Sequence, residues 1–145
     1  MSGVMKGGCL CGSVTYEVSG KPGIVGHCHC VDCRKTSGTG HGTHVMLQAD
    51  GVGFTGAMSS YKRPADSGNI VERYFCPTCG SAIYSTNTGM PGSVFLRASS
   101  LDDPNQITPQ MVVYASRAPK WDVTDASLTV FSEMPEGGPS SVMRD

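Results

Sequence analysis

The chain has 145 residues and a mass of 15.2 kDa, enough for one domain with a sizeable core. Its net charge is −1 with Lys and Arg scattered along the chain, which argues against the clustered cations that release counterions from nucleic-acid phosphates. No window approaches the ~18 apolar residues of a membrane-spanning helix. The outliers are 19 Gly and 9 Pro, together well above the usual level of roughly 12%, and an odd count of 7 Cys.

Residues 1–8 carry no apolar stretch of the kind an export leader needs, so a reducing cytoplasm is expected, with thiols kept for metal or chemistry. Gly8-Cys9-Leu10-Cys11-Gly12 comes next. In extended chain, residues i and i+2 share a side, so this pair can present two sulfurs together. Val14, Tyr16 and Val18 then alternate with Thr15 and Glu17, the pattern of a half-buried strand. Ser19-Gly20 and Lys21-Pro22-Gly23 signal turns.

The stretch Gly26-His27-Cys28-His29-Cys30-Val31-Asp32-Cys33-Arg34-Lys35 crowds three thiols into six residues. Such neighbours close disulfides only with strain. Three protein ligands beside an open position is the pattern of catalytic zinc. Arg34 and Lys35 would favour thiolate over thiol, and a single helical turn is expected after Cys33 to Thr36, stopped by Ser37-Gly38. His27 and His29 alternate with Cys28, so in extended chain they face away from the sulfurs; either could still serve as acid or base in a pocket. His41 and His44 form H-x-x-H, read as structural residues or as the source of a fourth ligand.

Further short strands are predicted at 45–47, 70–75, 82–84, 94–96 and 111–114. They are separated by turn signals at Asp50-Gly51, Asp66-Ser67-Gly68-Asn69, Met90-Pro91-Gly92 and Asp102-Asp103-Pro104-Asn105. Short strands at this spacing indicate an antiparallel, all-β domain. Phe75-Cys76-Pro77-Thr78-Cys79-Gly80 is a metal knuckle, its tight turn aiming both thiolates at one ion. Two such pairs complete a tetrahedral Cys₄ site that would cross-link distant parts of a sheet. Seven thiols then divide as four plus three, although spacing alone also allows the middle cluster to lend a pair to the four-thiol site. Trp121 is read as a packing residue or as the cover of a pocket mouth. Residues 1–136 are expected to form one domain, and 137–145 a flexible tail.

Taken together, the C-x-C, C-x-C-x-x-C and C-x-x-C series resembles the glutathione-dependent formaldehyde-activating enzyme family, which includes centromere protein V. The closing segments Ser116-Arg117-Ala118-Pro119-Lys120-Trp121 and Phe131-Ser132-Glu133-Met134-Pro135 are similar to the family as well. The resemblance implies a mainly β "β-tent" of layered antiparallel sheets clipped by a structural zinc. It also implies two zinc ions per chain. Cys9, Cys11, Cys76 and Cys79 match the ligands of the structural ion, and Cys28, Cys30 and Cys33 those of a catalytic and more labile one.

The activity so implied is a carbon–sulfur lyase of the S-hydroxymethylglutathione synthase type. A substrate thiol, glutathione or a similar one, takes the open position and meets a small aldehyde. Arg34, Lys35 or Arg117 could receive a glutathione carboxylate. The alternative is a non-enzymatic zinc module that binds glutathione or another thiol, or senses oxidation.

Overall fold

A computed structural model describes residues 4–138. In chain order the strands are β1 (Met5–Gly8), β2 (Thr15–Val18), β3 (Val25–Cys28), β4 (Gly42–Gln48), β5 (Val52–Thr55), β6 (Ser59–Pro64), β7 (Ile70–Phe75), β8 (Ala82–Asn87), β9 (Ser93–Arg97), β10 (Met111–Val113) and β11 (Thr129–Val130), with one α-helix, α1 (Val31–Ser37), between β3 and β4. The protein is therefore mainly β, built from two layered and largely antiparallel sheets. Among the described residues no helix is long and apolar enough to cross a membrane.

One sheet has the order β1-β2-β5 and the other β11-β10-β3-β4-β9-β8-β7-β6. Antiparallel pairing breaks only at β10, which runs parallel to both β3 and β11 and sets Val113 beside Cys28. The alternation expected around β2 is present: Val14, Tyr16 and Val18 are buried while Thr15 and Glu17 are exposed. In β4 the run Val45-Met46-Leu47 is apolar without alternation because both of its faces are covered. Val45 and Leu47 enter one cluster with Val14, Ile83 and Leu96, and Met46 enters a second with Ile24, Met111 and Val113. The first cluster also contains Cys9 and Cys76, the second Cys28 and Cys33. Each half of the core thus ends at its own group of thiols.

The predicted strands at 45–47, 70–75, 82–84 and 94–96 fall within β4, β7, β8 and β9. The one at 111–114 stops at Val113, because Tyr114 turns into the left-handed region with φ 55°. Five strands lie outside the predicted set: β1, β3, β5, β6 and β11. β6 is exposed along its whole length and ends in Pro64, as suits a sheet edge, where no apolar period is required. β3 is written in Val, Gly, His and Cys, residues that announced a metal rather than a strand. The helix begins two residues before Cys33, since the Cys30 sulfur accepts the Cys33 amide and caps it. Of the expected tail, 139–145 lies outside the described residues.

Candidate functional site

The four-thiol group forms where the two sheets meet. The turn after β1 is tied by the Cys9 amide to the Val14 carbonyl (2.9 Å), and the Val14 amide donates back to the Cys9 sulfur (3.2 Å). In the β7–β8 hairpin the amides of Thr78 and Cys79 donate to the Cys76 sulfur (3.3 and 3.4 Å). Gly80, at φ 79°, lets the chain curl back so that its amide reaches the Cys76 carbonyl. The Leu10 amide donates to Ser81 Oγ across the gap (3.0 Å), and the Cys11 and Cys76 sulfurs lie 3.7 Å apart. The sulfurs of Cys9, Cys11, Cys76 and Cys79 are all within 4.8 Å of one another and could hold a metal. A set of four convergent thiolates fits zinc.

Each pair is followed by the same Cys-Gly-Ser tripeptide, and each serine turns back on its cysteine. Ser13 Oγ is 3.1 Å from Cys11 Sγ and 3.3 Å from Cys76 Sγ, and Ser81 Oγ is 3.2 Å from Cys79 Sγ. Hydrogen bonds from the Ser81 hydroxyl and amide, then from the Cys11 amide, pull the Cys79 thiol down to about 5, which favours the thiolate a metal needs. This repeated tripeptide was readable in the sequence, and the motif reading passed over it.

Cys28, Cys30 and Cys33 form a second group, also within 4.8 Å of one another and able to hold a metal. Cys28 closes β3, Cys30 caps α1 and Cys33 sits in the first turn of that helix. The neighbouring Cys28 and Cys33 thiols, then the Cys33 amide and the Arg73 guanidinium, pull Cys30 down to about 2 against the effect of burial. Hydrogen bonding with Cys30 and Cys33, and then burial, push the Cys28 thiol up. All seven cysteines are free thiols.

These three sulfurs lie at a cavity of about 970 Å³ lined also by Met46, Phe95 and Met111 and by Arg63, Arg73 and Arg117. The lining cations are already paired. Arg63 and Arg73 reach Asp32 (3.3 and 3.9 Å), and Arg117 binds Asp66 and Glu133 (both 3.0 Å) while lying 4.7 Å over the Tyr114 ring. Arg34 and Lys35, expected beside the thiols, do not border the cavity. The cations that act on the sulfurs are Arg73 and the buried Arg97. Arg97 donates to the carbonyl and hydroxyl of Thr36, both at 3.2 Å. No local signal in the sequence marks either arginine, since β7 and β9 carry them in from distant positions.

The four histidines separate. His27 and His44 border the cavity, so His27 does not simply turn away from the thiol side. His44 Nε2 lies 3.4 Å from Cys33 Sγ but outside the three-sulfur group. Burial, then His41 and His29, hold His27 down to about 4. Burial, then Arg97 and Arg73, hold His44 down to about 3. Both are neutral at pH 7. His29 is buried, its Nδ1 facing the Gly40 carbonyl, and His41 pairs with Asp122 (2.7 Å). Trp121 is 70% exposed and away from the cavity, so it neither packs in the core nor covers the mouth.

Compared with known proteins, residues 4–117 match the family model described as glutathione-dependent formaldehyde-activating enzyme. No curated protein is a significant match. Among solved structures, the crystal structure of a Rhodobacter sphaeroides protein from a structural-genomics programme is similar, with a TM-score of 0.57 at 23% identity, covering 72% of this chain and 92% of that chain. That likeness is one of fold.

Proposed function

The chain belongs to the glutathione-dependent formaldehyde-activating enzyme family, and on that premise we propose that it is a zinc-dependent carbon–sulfur lyase of the S-hydroxymethylglutathione synthase type. In the synthetic direction the sulfur of glutathione, or of a similar small thiol, forms a bond to the carbon of a small aldehyde. The carbonyl becomes a hydroxyl, and the proton lost by the thiol ends on that oxygen. The observation that carries the reading is the three-sulfur group set at an open cavity, with no fourth thiol beside it.

Cys28, Cys30 and Cys33 would hold one zinc and leave its cavity side free, while Cys9, Cys11, Cys76 and Cys79 would hold a second that joins the sheets. When bound, the first ion supplies the positive charge that keeps a fourth sulfur ionised near neutral pH. The chain's own task is then to let an anionic sulfur approach three thiolates. At about 4 Å and an effective dielectric near 20, each like-charged pair repels by roughly 4 kcal/mol. Arg73 and Arg97, whose charges act on the same sulfurs, offset that repulsion. His44 assists by donating its Nε2 hydrogen to Cys33 Sγ, because a thiolate can only accept. With His27 and His44 neutral, the transferred proton passes through solvent in the open cavity. The seven free thiols support a reducing, cytoplasmic setting, and we treat 1–136 as one domain.

The test is exchange of isotope-labelled formaldehyde with glutathione, followed by NMR, in wild type and Cys30→Ser. Exchange above the buffer rate in wild type, lost in the variant, is expected; equal rates in the two would sink the lyase. The absence of a protonated imidazole at the cavity also favours a second reading, a module that binds the thiol without turnover. Calorimetry separates the two, since that reading requires saturable glutathione binding in a protein that shows no exchange.

A further inference from the structure

Besides the two thiol groups, two imidazoles and a carboxylate converge at one point. His29 directly follows β3, His41 directly precedes β4, and Asp122 arrives in a segment where its own amide is turned back onto the Pro119 carbonyl (3.0 Å). His29 Nδ1 lies 3.4 Å and His41 Nδ1 2.7 Å from the same oxygen, Oδ2 of Asp122. The three ligand atoms fall within 4.8 Å of one another. A fourth donor stands beside them, the Gly40 carbonyl, 3.1 Å from His29 Nδ1. Glycine at position 40 leaves room for the carboxylate, because a Cβ there would press on the Asp122 side chain. The carboxylate is seated on bare backbone.

From this geometry we infer that His29, His41 and Asp122 form a third metal site, for a divalent first-row transition ion such as Zn²⁺ or Co²⁺. Imidazole nitrogens bind zinc at about 2.0–2.1 Å and carboxylate oxygens at about 2.0–2.2 Å, so tetrahedral ligands stand about 3.3 Å apart. The His29–Asp122 separation already matches. The His41–Asp122 pair has to open by about half an ångström, and His41, with its side chain 21% exposed, is the member of the set with room to turn. His29 is held rigidly, 1% exposed with its amide on the Val113 carbonyl.

Two nitrogens and a carboxylate oxygen without sulfur suit Zn²⁺, Co²⁺, Ni²⁺ or Fe²⁺ rather than a soft ion. They leave one position for the Gly40 carbonyl or a water. In the metal-free state the Nδ1 hydrogen of His41 points at the carboxylate and that of His29 at the Gly40 carbonyl. The ion replaces both, and the ligands release those hydrogens to solvent or carry them on Nε2. The bound ion would join the segment carrying Asp122 to the ends of β3 and β4.

The test is a Co²⁺ titration of the full chain after its thiol sites have been filled with zinc, followed by metal analysis and visible absorption. One additional equivalent of Co²⁺ is expected, with d–d bands but no thiolate charge-transfer absorption. Asp122→Asn keeps the shape and an acceptor for His41 but is a poor ligand, and it should weaken that equivalent at least tenfold. His41→Gln should do the same from a more exposed position, so that a folding defect in one variant leaves the other to decide. No equivalent beyond the thiol sites, or an equivalent carrying thiolate absorption, overturns the site. So does one that binds equally well in both variants.

Discussion

The two thiol groups use the same element for opposite ends. The four-thiol group takes its sulfurs from the turn after β1 and from the β7–β8 hairpin, where Cys11 and Cys76, 65 residues apart in sequence, bring their sulfurs to 3.7 Å. An ion there closes a long loop and fastens one sheet to the other. The three-thiol group takes all its sulfurs from a single arc at the end of β3 and the start of α1. An ion there closes almost nothing and faces a cavity instead. A ligand's contribution to stability depends on how much chain its metal joins, whereas its use in chemistry depends on what is left open.

Removing one sulfur from each group should give the largest contrast between them. Cys76 is fully buried and Cys33 nearly so, so the lost packing is similar, and the metal linkage should decide. Cys76→Ala is expected to unfold most of the chain at 37 °C, because structural zinc sites supply on the order of 10 kcal/mol to folding. Cys33→Ala should lower the melting temperature by only a few degrees. Circular dichroism melts of the two variants settle it, and equal melting temperatures would end the distinction.

Graded chelation probes the same contrast without mutation. Cys28, Cys30 and Cys33 should become alkylable by iodoacetamide at chelator concentrations that leave Cys9, Cys11, Cys76 and Cys79 protected, as read by peptide mass spectrometry. Simultaneous labelling of all seven would mean that the two groups are not separate.

Much of this contrast could be read in the chain before any coordinates, and the reasons are local. Val14, Tyr16 and Val18 alternate because one face of their sheet is buried, and the cysteine pairs announce themselves by spacing. The four-plus-three division stayed open on spacing because it depends on which turns lie side by side, a property of sheet order rather than of sequence interval. Arg97 meets Thr36 from 61 positions away, and Asp122 meets His41 from 81. No periodicity carries such contacts. β6 was invisible for the opposite reason, since an exposed edge strand has no apolar requirement to print on its sequence.

A smaller effect is expected from the charge that makes the open group usable. Arg73→Met should leave zinc content unchanged and raise the glutathione Kd about tenfold, or about 1.4 kcal/mol, because the cation acting on Cys30 and Cys33 is gone. Isothermal calorimetry measures it. An unchanged Kd would remove Arg73 from the account and leave the buried Arg97 to offset the thiolates alone.

The smallest expected effect is an alkaline limit to which the closed half contributes through Tyr16. Tyr16 is 3% exposed in the core cluster that contains Cys9 and Cys76, and its hydroxyl is 2.6 Å from Ser100 Oγ. Burial, opposed by the Ser100 bond and aided by Asp102, pushes its phenol up to about 12. A folded value above the unfolded value near 10 means that the stabilisation is complete below pH 10 and is lost as pH rises toward 12, where the unfolded chain releases the proton first. At pH 11 the loss is on the order of 1 kcal/mol, or roughly 3 °C in a chain of this size. Tyr84 is pushed up to about 12 as well, by burial and then by Tyr74 and Glu72, so the Tyr16 share is read as the difference between wild type and a variant without its hydroxyl. Tyr16→Phe should melt slightly lower at pH 8, having lost a buried hydrogen bond, yet decline less steeply between pH 9 and 11. Parallel slopes for the two proteins would shift the alkaline limit away from the Tyr16 phenol and onto the other raised phenols, Tyr84 first.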